Sequence, residues 1–316
     1  MGEFDLIARY FTRTPVRADL GVGDDCALLR VGAGMQLATS TDLLIEGRHF
    51  LSTVPPERLG HKALAVNLSD LAACGARPLA FTLSLALPRV DADFLAGFAR
   101  GLWALADAHG CELIGGDTTQ GPLAIGISVF GEVPTGQALL RSGARAGDAI
   151  WVSGTLGDAR LALEVFRGSA TADGLDFETL RRALEQPEPR VALGLALRGV
   201  ATSAIDLSDG LVGDLGHVLQ RSAVGARVEV DRLPRSAALQ ARAPEVQRAC
   251  TLAGGDDYEL LFTAPHDAEA RVAQAAHDAG TPVTRVGTVC AEPGLQLVDA
   301  AGRVLPQTWR AFDHFS

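Results

Sequence analysis

Apolar and polar positions alternate along this chain in two distinct periods. Phe4, Ile7, Ala8 and Phe11 recur at helical spacing, which predicts a helix over 3–12. Strand-like runs follow near 26–31 and 35–40, each beside an acidic or hydroxyl-bearing turn. A helix is expected over 56–75, with Pro56 in its first turn and Gly75 as its stop. The unbroken apolar run LAFTLSLALP (79–88) reads as a buried strand ended by Pro88. An amphipathic helix over 91–109 stops at Gly110, followed by a strand (111–115), the loop GGDTTQGP and a strand (123–133).

The turn-rich stretch 133–148 interrupts this rhythm, so the boundary is expected there, between domains 1–138 and 139–316. Beyond it the pattern predicts a strand (149–153), helices near 156–167, 177–185 and 188–200, and a strand (203–207). A helix (209–222), strands near 226–230 and 258–263, a helix (267–279) and a strand (282–289) complete the chain. Both halves mix strands and helices with short links, which makes the expected class α/β (α+β) in two domains.

Composition narrows the chemistry. Glycine, 35 of 316 residues, exceeds its usual share of about 7%, as expected where backbone must take positive φ or approach a ligand. The net charge of -10 disfavours nucleic acid as a partner. Lysine occurs once, at Lys62 in GHKAL, so neither a Walker A loop nor a Schiff-base lysine elsewhere is available. Five cysteines without a CxxC pair suit a reducing cytosol, and seven histidines show no HExxH pair. No apolar run reaches membrane length and no signal-peptide pattern opens the sequence, so a soluble cytoplasmic protein is expected.

A series of aspartates sits in small-residue segments: Asp24 and Asp25 in GVGDDCALL, Asp42 in STDLLIEGRHF, Asp70 in NLSDLAACGA, Asp117 in IGGDTTQG. Asp206 and Asp209 in IDLSDGL and Asp256 and Asp257 in GGDDYEL extend it. Any one reads as a turn former or helix cap. Together, next to apolar strands, they call for positive charge, since an unpaired buried carboxylate costs several kcal/mol. Few arginines lie inside these segments, and a hard divalent cation such as Mg2+ fits carboxylate and phosphate oxygens. Asn67 and Asp70 share a helix face, and Ser40, Thr41 and Asp42 offer consecutive oxygens. The glycines before Asp117 and Asp256 could let backbone N–H groups approach phosphate. The residues by themselves point to metal-dependent phosphate chemistry.

GVGDDCALL, STDLLIEGRHF, KALAVNLSDLAACGARP, IGGDTTQGP, RSGARAGD, SAIDLSDGL, GGDDYEL and TWRAFDHF, in this order, resemble the thiamine-monophosphate kinases. The resemblance implies the two-domain aminoimidazole-ribonucleotide-synthetase-like fold, with N-terminal domains pairing into a dimeric β-barrel and so a homodimer. It implies phosphorylation of thiamine monophosphate to thiamine diphosphate, the last step of that cofactor's biosynthesis, with ATP as co-substrate and several Mg2+ ions. Carried onto this chain, metal ligation falls to Asp25, Ser40, Thr41, Asp42, Asp70, Asp117, Asp206 and Asp209. ATP contacts fall to Gly116, Asp117, Arg141 and Ser208, and substrate contacts to His49, Asp256 and Trp309.

No general base is assigned, because a phosphate monoester acceptor is already largely ionised at neutral pH. Asp256 stands where the family's familiar form, GGEDYEL, has glutamate, one methylene longer. The rival readings are another ATP-dependent enzyme of the superfamily, such as selenophosphate synthetase, and a non-catalytic nucleotide- or metal-binding module. The first would need a reactive cysteine near a lysine in an N-terminal glycine-rich segment, which this chain lacks.

Overall fold

Asp91 shows how local chemistry sets the elements. Its carboxylate accepts the N–H groups of Asp93 and Phe94 and so starts a helix that Gly110, in the left-handed region, ends. The computed structural model describes residues 2–23, 25–172, 174–306 and 308–309. The chain separates into two units, Met1–Leu71 with Ala76–Gly136 and Ala72–Gly75 with Gln137–Ser316.

The first unit begins with α1 (Glu3–Leu6), prolonged by a π-helical stretch, Ile7–Phe11. It continues through β1 (Met35–Ile45), α2 (Pro56–Ala73), β2 (Arg77–Leu87), α3 (Ala92–His109), β3 (Glu112–Gln120) and β4 (Ala124–Pro134). Its sheet has the order β1-β4-β2-β3. β4 runs antiparallel to both β1 and β2, whereas β2 and β3 are parallel. On one face Ile125, Ile127 and Val129 of β4 and Phe81, Leu83 and Leu85 of β2 are buried. Leu64, Leu68 and Leu71 of α2 and Leu95, Phe98 and Leu102 of α3 are buried as well, the residues of a helical layer closing a sheet face. The opposite side of β1 leaves Leu37, Leu43 and Ile45 exposed at 49%, 54% and 43%.

The second unit contains β5 (Ala149–Ser153), α4 (Asp158–Phe166), α5 (Gly174–Glu185), α6 (Val191–Ala196), β6 (Ser203–Asp206), α7 (Leu211–Ser222) and β7 (Gly225–Glu229). It ends with α8 (Ala237–Gln240), α9 (Pro244–Ala253), β8 (Leu260–Ala264), α10 (Glu269–Asp278), β9 (Val283–Cys290) and β10 (Gly294–Val298). The sheet order is β10-β7-β9-β5-β8-β6, antiparallel except for β10 on β7. Ile150, Val152, Ile205, Leu261 and Val286 form one core with Leu211, Leu215 and Val218 of α7. Leu161, Leu180, Leu184, Leu239 and Cys250 form a second.

Several sequence expectations change. Residues 26–31 make only an isolated bridge, Leu20 to Leu28, because neighbouring polar turns give them no ladder partner. β1 runs on to Ile45, and GGDTTQ is not a loop but the end of β3, since β4 and β2 supply ladders of matching length. Two helices, α8 and α9, and the strand β10 were not expected; α8 and β10 are only four and five residues long, too short to show a period.

Glu132 of β4 is 4% exposed and accepts Gly32 N–H at 3.1 Å and a guanidinium N–H of Arg77. Burial would raise its pKa, but the Gly32 N–H and Arg77 outweigh burial and hold the carboxyl below its ordinary value. Arg77→Met leaves a nearly buried carboxylate without its cation and is expected to cost about 2 kcal/mol in urea unfolding at neutral pH. The loss should shrink as the pH falls and Glu132 protonates, since a lowered pKa stabilises only above the unfolded value.

Candidate active site

Two polar side chains of α2 reach strand β1. Strand alternation puts Ser40 and Asp42 on the face with buried Leu44, and Thr41 on the other. Ser40 Oγ donates to Asp70 Oδ2, and Asp42 N–H donates to Asn67 Oδ1 at 3.1 Å. Thr41 Oγ1 instead pairs with Ser128 Oγ of β4 at 2.8 Å. The three consecutive oxygens therefore do not converge as side chains. Asn67, 1% exposed, spends its oxygen on the Asp42 amide and its Nδ2 on Ala63 O at 3.0 Å, so it braces the strand rather than facing a cation. His49 follows β1 in a tight turn, where its Nδ1 accepts Ile45 N–H at 3.0 Å.

Asp25 and Asp117 lie elsewhere in this unit. They line a cavity of about 890 Å³ with an apolar part, Phe4, Ile7, Phe11 and Leu113, and a polar part that adds Gly115, Gly116 and Thr118. Gly116 has φ +147, and a methyl group there would lie 1.9 Å from Leu83 O of β2. Only glycine allows β3 to carry its backbone so close to its neighbour while Asp117 stays exposed. Asp24 lies outside the described residues.

In the second unit the motifs IDLSDGL and GGDDYEL are zipped together. Leu207 N–H bonds Glu259 O, Tyr258 N–H bonds Leu207 O and Asp256 N–H bonds Ser208 O, each at 2.8 Å. Gly255, at φ +71, presses on the same segment; a methyl there would lie 2.7 Å from Ser208 O. Asp256 and Tyr258 also take positive φ, +59 and +50, a strain of about 1–3 kcal/mol each. Tyr258 Oη donates to Asp256 Oδ1 at 3.2 Å, giving the carboxylate a fixed direction. Asp206, Ser208, Asp209 and Asp256 thus occupy one small region.

Asp214, 3% exposed on α7, organises that region from below. It accepts the backbone N–H groups of Ser208 and Asp209, the latter at 3.1 Å. Burial pushes its carboxyl up to about 7, opposed by the two N–H bonds and the charge of Arg141 and reinforced by Asp209. Arg141 is therefore within electrostatic reach of the 206–209 loop. Asp257, whose Oδ1 accepts Gly157 N–H at 2.8 Å, is raised well above its ordinary 3.8 by burial, helped by Glu259, Asp158 and Asp256. Trp309 is partly buried against the core of this unit, so its ring anchors the described end of the chain.

Among the described residues, no three His, Cys, Asp or Glu side chains are gathered closely enough to hold a metal ion. The candidates are nevertheless all hard oxygen donors, without sulfur or imidazole, the set that suits Mg2+ rather than zinc.

The halves of the sequence match the AIR synthase related protein N-terminal domain over residues 23–133 and its C-terminal domain over residues 145–300. The thiamine-monophosphate kinase of Salmonella typhimurium is 45% identical over 321 residues, covering 100% of this chain and 98% of its own. The chain belongs to the thiamine-monophosphate kinase family. A thiamine-monophosphate kinase crystal structure from Stenotrophomonas maltophilia K279a superposes with a TM-score of 0.86 at 46% identity, over 96% of each chain. AaThiL complexed with AMPPCP and TMP gives a TM-score of 0.79 at 30% identity, over 90% of this chain and 89% of that one.

In this kinase-family chain the motif reading passed over Asp214. Its signal was present: a carboxylate among the apolar positions of α7, five residues after Asp209, is placed to cap that loop.

The raised carboxyls carry a sign. The unfolded chain ionises Asp257 near 3.8 while the folded chain resists, so the stabilising difference is complete below that value and lost as pH rises toward the folded one. Asp257→Asn keeps the acceptor for Gly157 N–H without the charge. Its melting temperature should fall less between about pH 5 and about pH 8 than that of the unsubstituted protein, by differential scanning calorimetry.

Proposed function

We propose that this chain transfers the γ-phosphoryl group of ATP directly, in line, to thiamine monophosphate, giving thiamine diphosphate and ADP. The observation that carries the reading is full-length identity of 45% to a thiamine-monophosphate kinase. In the first unit, the apolar part of the 890 Å³ cavity takes the adenosine and the Gly115–Thr118 backbone the phosphates. Gly116 and Asp117 there, and Arg141 and Ser208 in the second unit, bind ATP. His49, Asp256 and Trp309 contact thiamine monophosphate.

Asp25, Ser40, Thr41, Asp42, Asp70 and Asp117 in the first unit and Asp206 and Asp209 in the second hold Mg2+. Bound Mg2+ supplies charge neutralisation between the anionic acceptor and the triphosphate. Thr41 serves through its backbone oxygen, because its hydroxyl is paired with Ser128 on the far face. Asp214 keeps the 206–209 loop in shape. No residue is needed to remove a proton from the acceptor, whose second ionisation lies near pH 6. The setting is the cytoplasm, and no helix among the described residues is long and apolar enough to cross a membrane.

Strand order supports a homodimer. β1, with Asp42, and β3, with Asp117, are the two edges of the four-stranded sheet. Three strand spacings separate them, about 14 Å along the sheet, whereas a ligand oxygen lies about 2.1 Å from Mg2+. Pairing the β1 edge of one copy with the β3 edge of another closes an eight-stranded barrel and brings the two carboxylates together. It also covers exposed Leu37, Leu43 and Ile45. The first unit is thus the ATP- and Mg2+-binding and dimerisation domain.

Purified protein with ATP, Mg2+ and thiamine monophosphate should form thiamine diphosphate and ADP, resolved by chromatography, with free thiamine inert as acceptor. ATP binding without product would overturn the kinase reading. Asp42→Asn and Asp117→Asn should each lower kcat at least about 100-fold. Mixed after denaturation and refolding together, the two inactive variants should regain about a quarter of wild-type activity, because half the dimers carry one intact site of two. No recovery would place Asp42 and Asp117 of one chain in one site.

A further inference from the structure

Lys62, 1% exposed on α2, is the lone lysine of the chain. A buried ammonium costs several kcal/mol to desolvate, and an apolar residue of similar size is often as stable or more so. Its presence therefore asks for a local task. Lys62 Nζ donates to the carbonyl oxygen of His49 at 3.1 Å. That carbonyl belongs to a closed turn: Arg48 and His49 N–H groups bond Ile45 O at 3.1 and 3.0 Å, and Gly47 N–H bonds Phe50 O at 2.8 Å. Phe50, 7% exposed, pins the far side. Within the turn His49 Nδ1 accepts Ile45 N–H at 3.0 Å. A nitrogen that accepts cannot carry the proton, so the neutral ring carries it on Nε2 and presents Nε2 as a donor.

We infer that Lys62 is a positioning residue: by holding the His49 carbonyl it keeps the His49 ring as the Nε2–H tautomer, a hydrogen-bond donor to a phosphate oxygen of the phosphorylated acceptor. This rests on the assignment of His49 to the substrate. It explains how a partly exposed histidine keeps one orientation, which its own side chain, with two rotatable bonds, would not impose.

Two measurements test it. Long-range proton–nitrogen NMR of histidine rings, with His49→Gln for assignment, should show His49 Nδ1 unprotonated and Nε2 protonated in the resting wild-type protein at alkaline pH. In Lys62→Met the His49 signals should move toward a tautomer mixture. The KM for thiamine monophosphate should rise about tenfold, with the KM for ATP within about twofold. Lys62→Gln, which keeps an N–H donor, should recover part of the loss. A proton on Nδ1 in the wild type would overturn the inference, as would unchanged His49 signals and KM in Lys62→Met. A folded Lys62→Met that loses stability with both KM values unmoved would make the lysine merely structural. If Lys62→Met does not fold, the wild-type spectrum and Lys62→Gln decide. The NMR arm needs no substrate, so an enzyme inactive on thiamine monophosphate would sink the kinase reading and leave the tautomer result standing.

Discussion

Three polar side chains on one helix hold candidate site residues of the first unit in place. Lys62, Asn67 and Asp70 of α2 reach, in turn, the His49 carbonyl, the Asp42 amide and the Ser40 hydroxyl. The leucines between them bury α2 in the hydrophobic core, which fixes the polar contacts to a fraction of the helix rise. A strand carrying exposed Thr41 and half-buried Asp42 would otherwise be free to slip, since its outer face is not committed to a core. Register here comes from hydrogen bonds as much as from packing.

The second unit solves the same problem with backbone. Asp206 through Asp209 cannot rely on a side-chain ladder, because four residues are too few. Paired instead with the 254–258 segment and capped from α7 by Asp214, the loop takes its shape from N–H groups that all find acceptors. The cost appears as positive φ at Asp256 and Tyr258, two side-chain-bearing residues in a region that favours glycine. Such strain persists only where surrounding contacts over-determine it.

Much of this was legible in the sequence. The long elements α2, α3 and β2 lie close to where the pattern puts them: Pro56 opens α2, Asp91 and Gly110 cap α3, and Pro88 follows β2. The weak elements were missed for a physical reason: α8, β10 and the strand half of GGDTTQ exist because a neighbour pairs with or packs on them. Composition could single out Asp25 and Asp117, but not that both line one cavity. It could not show that Ser40 and Thr41 face opposite ways until β1 was known to extend through both, nor that Asn67 serves the fold and not an ion.

The burial of Lys62 reaches beyond the site. Because arginine supplies every other basic side chain, amine-directed reagents find no lysine on the surface of the folded chain. The sole ε-amine becomes available only when α2 lifts from the sheet or the unit opens. Acylation of Lys62, read by mass spectrometry, is thus a built-in clock for the opening of one identified helix, free of background from other lysines.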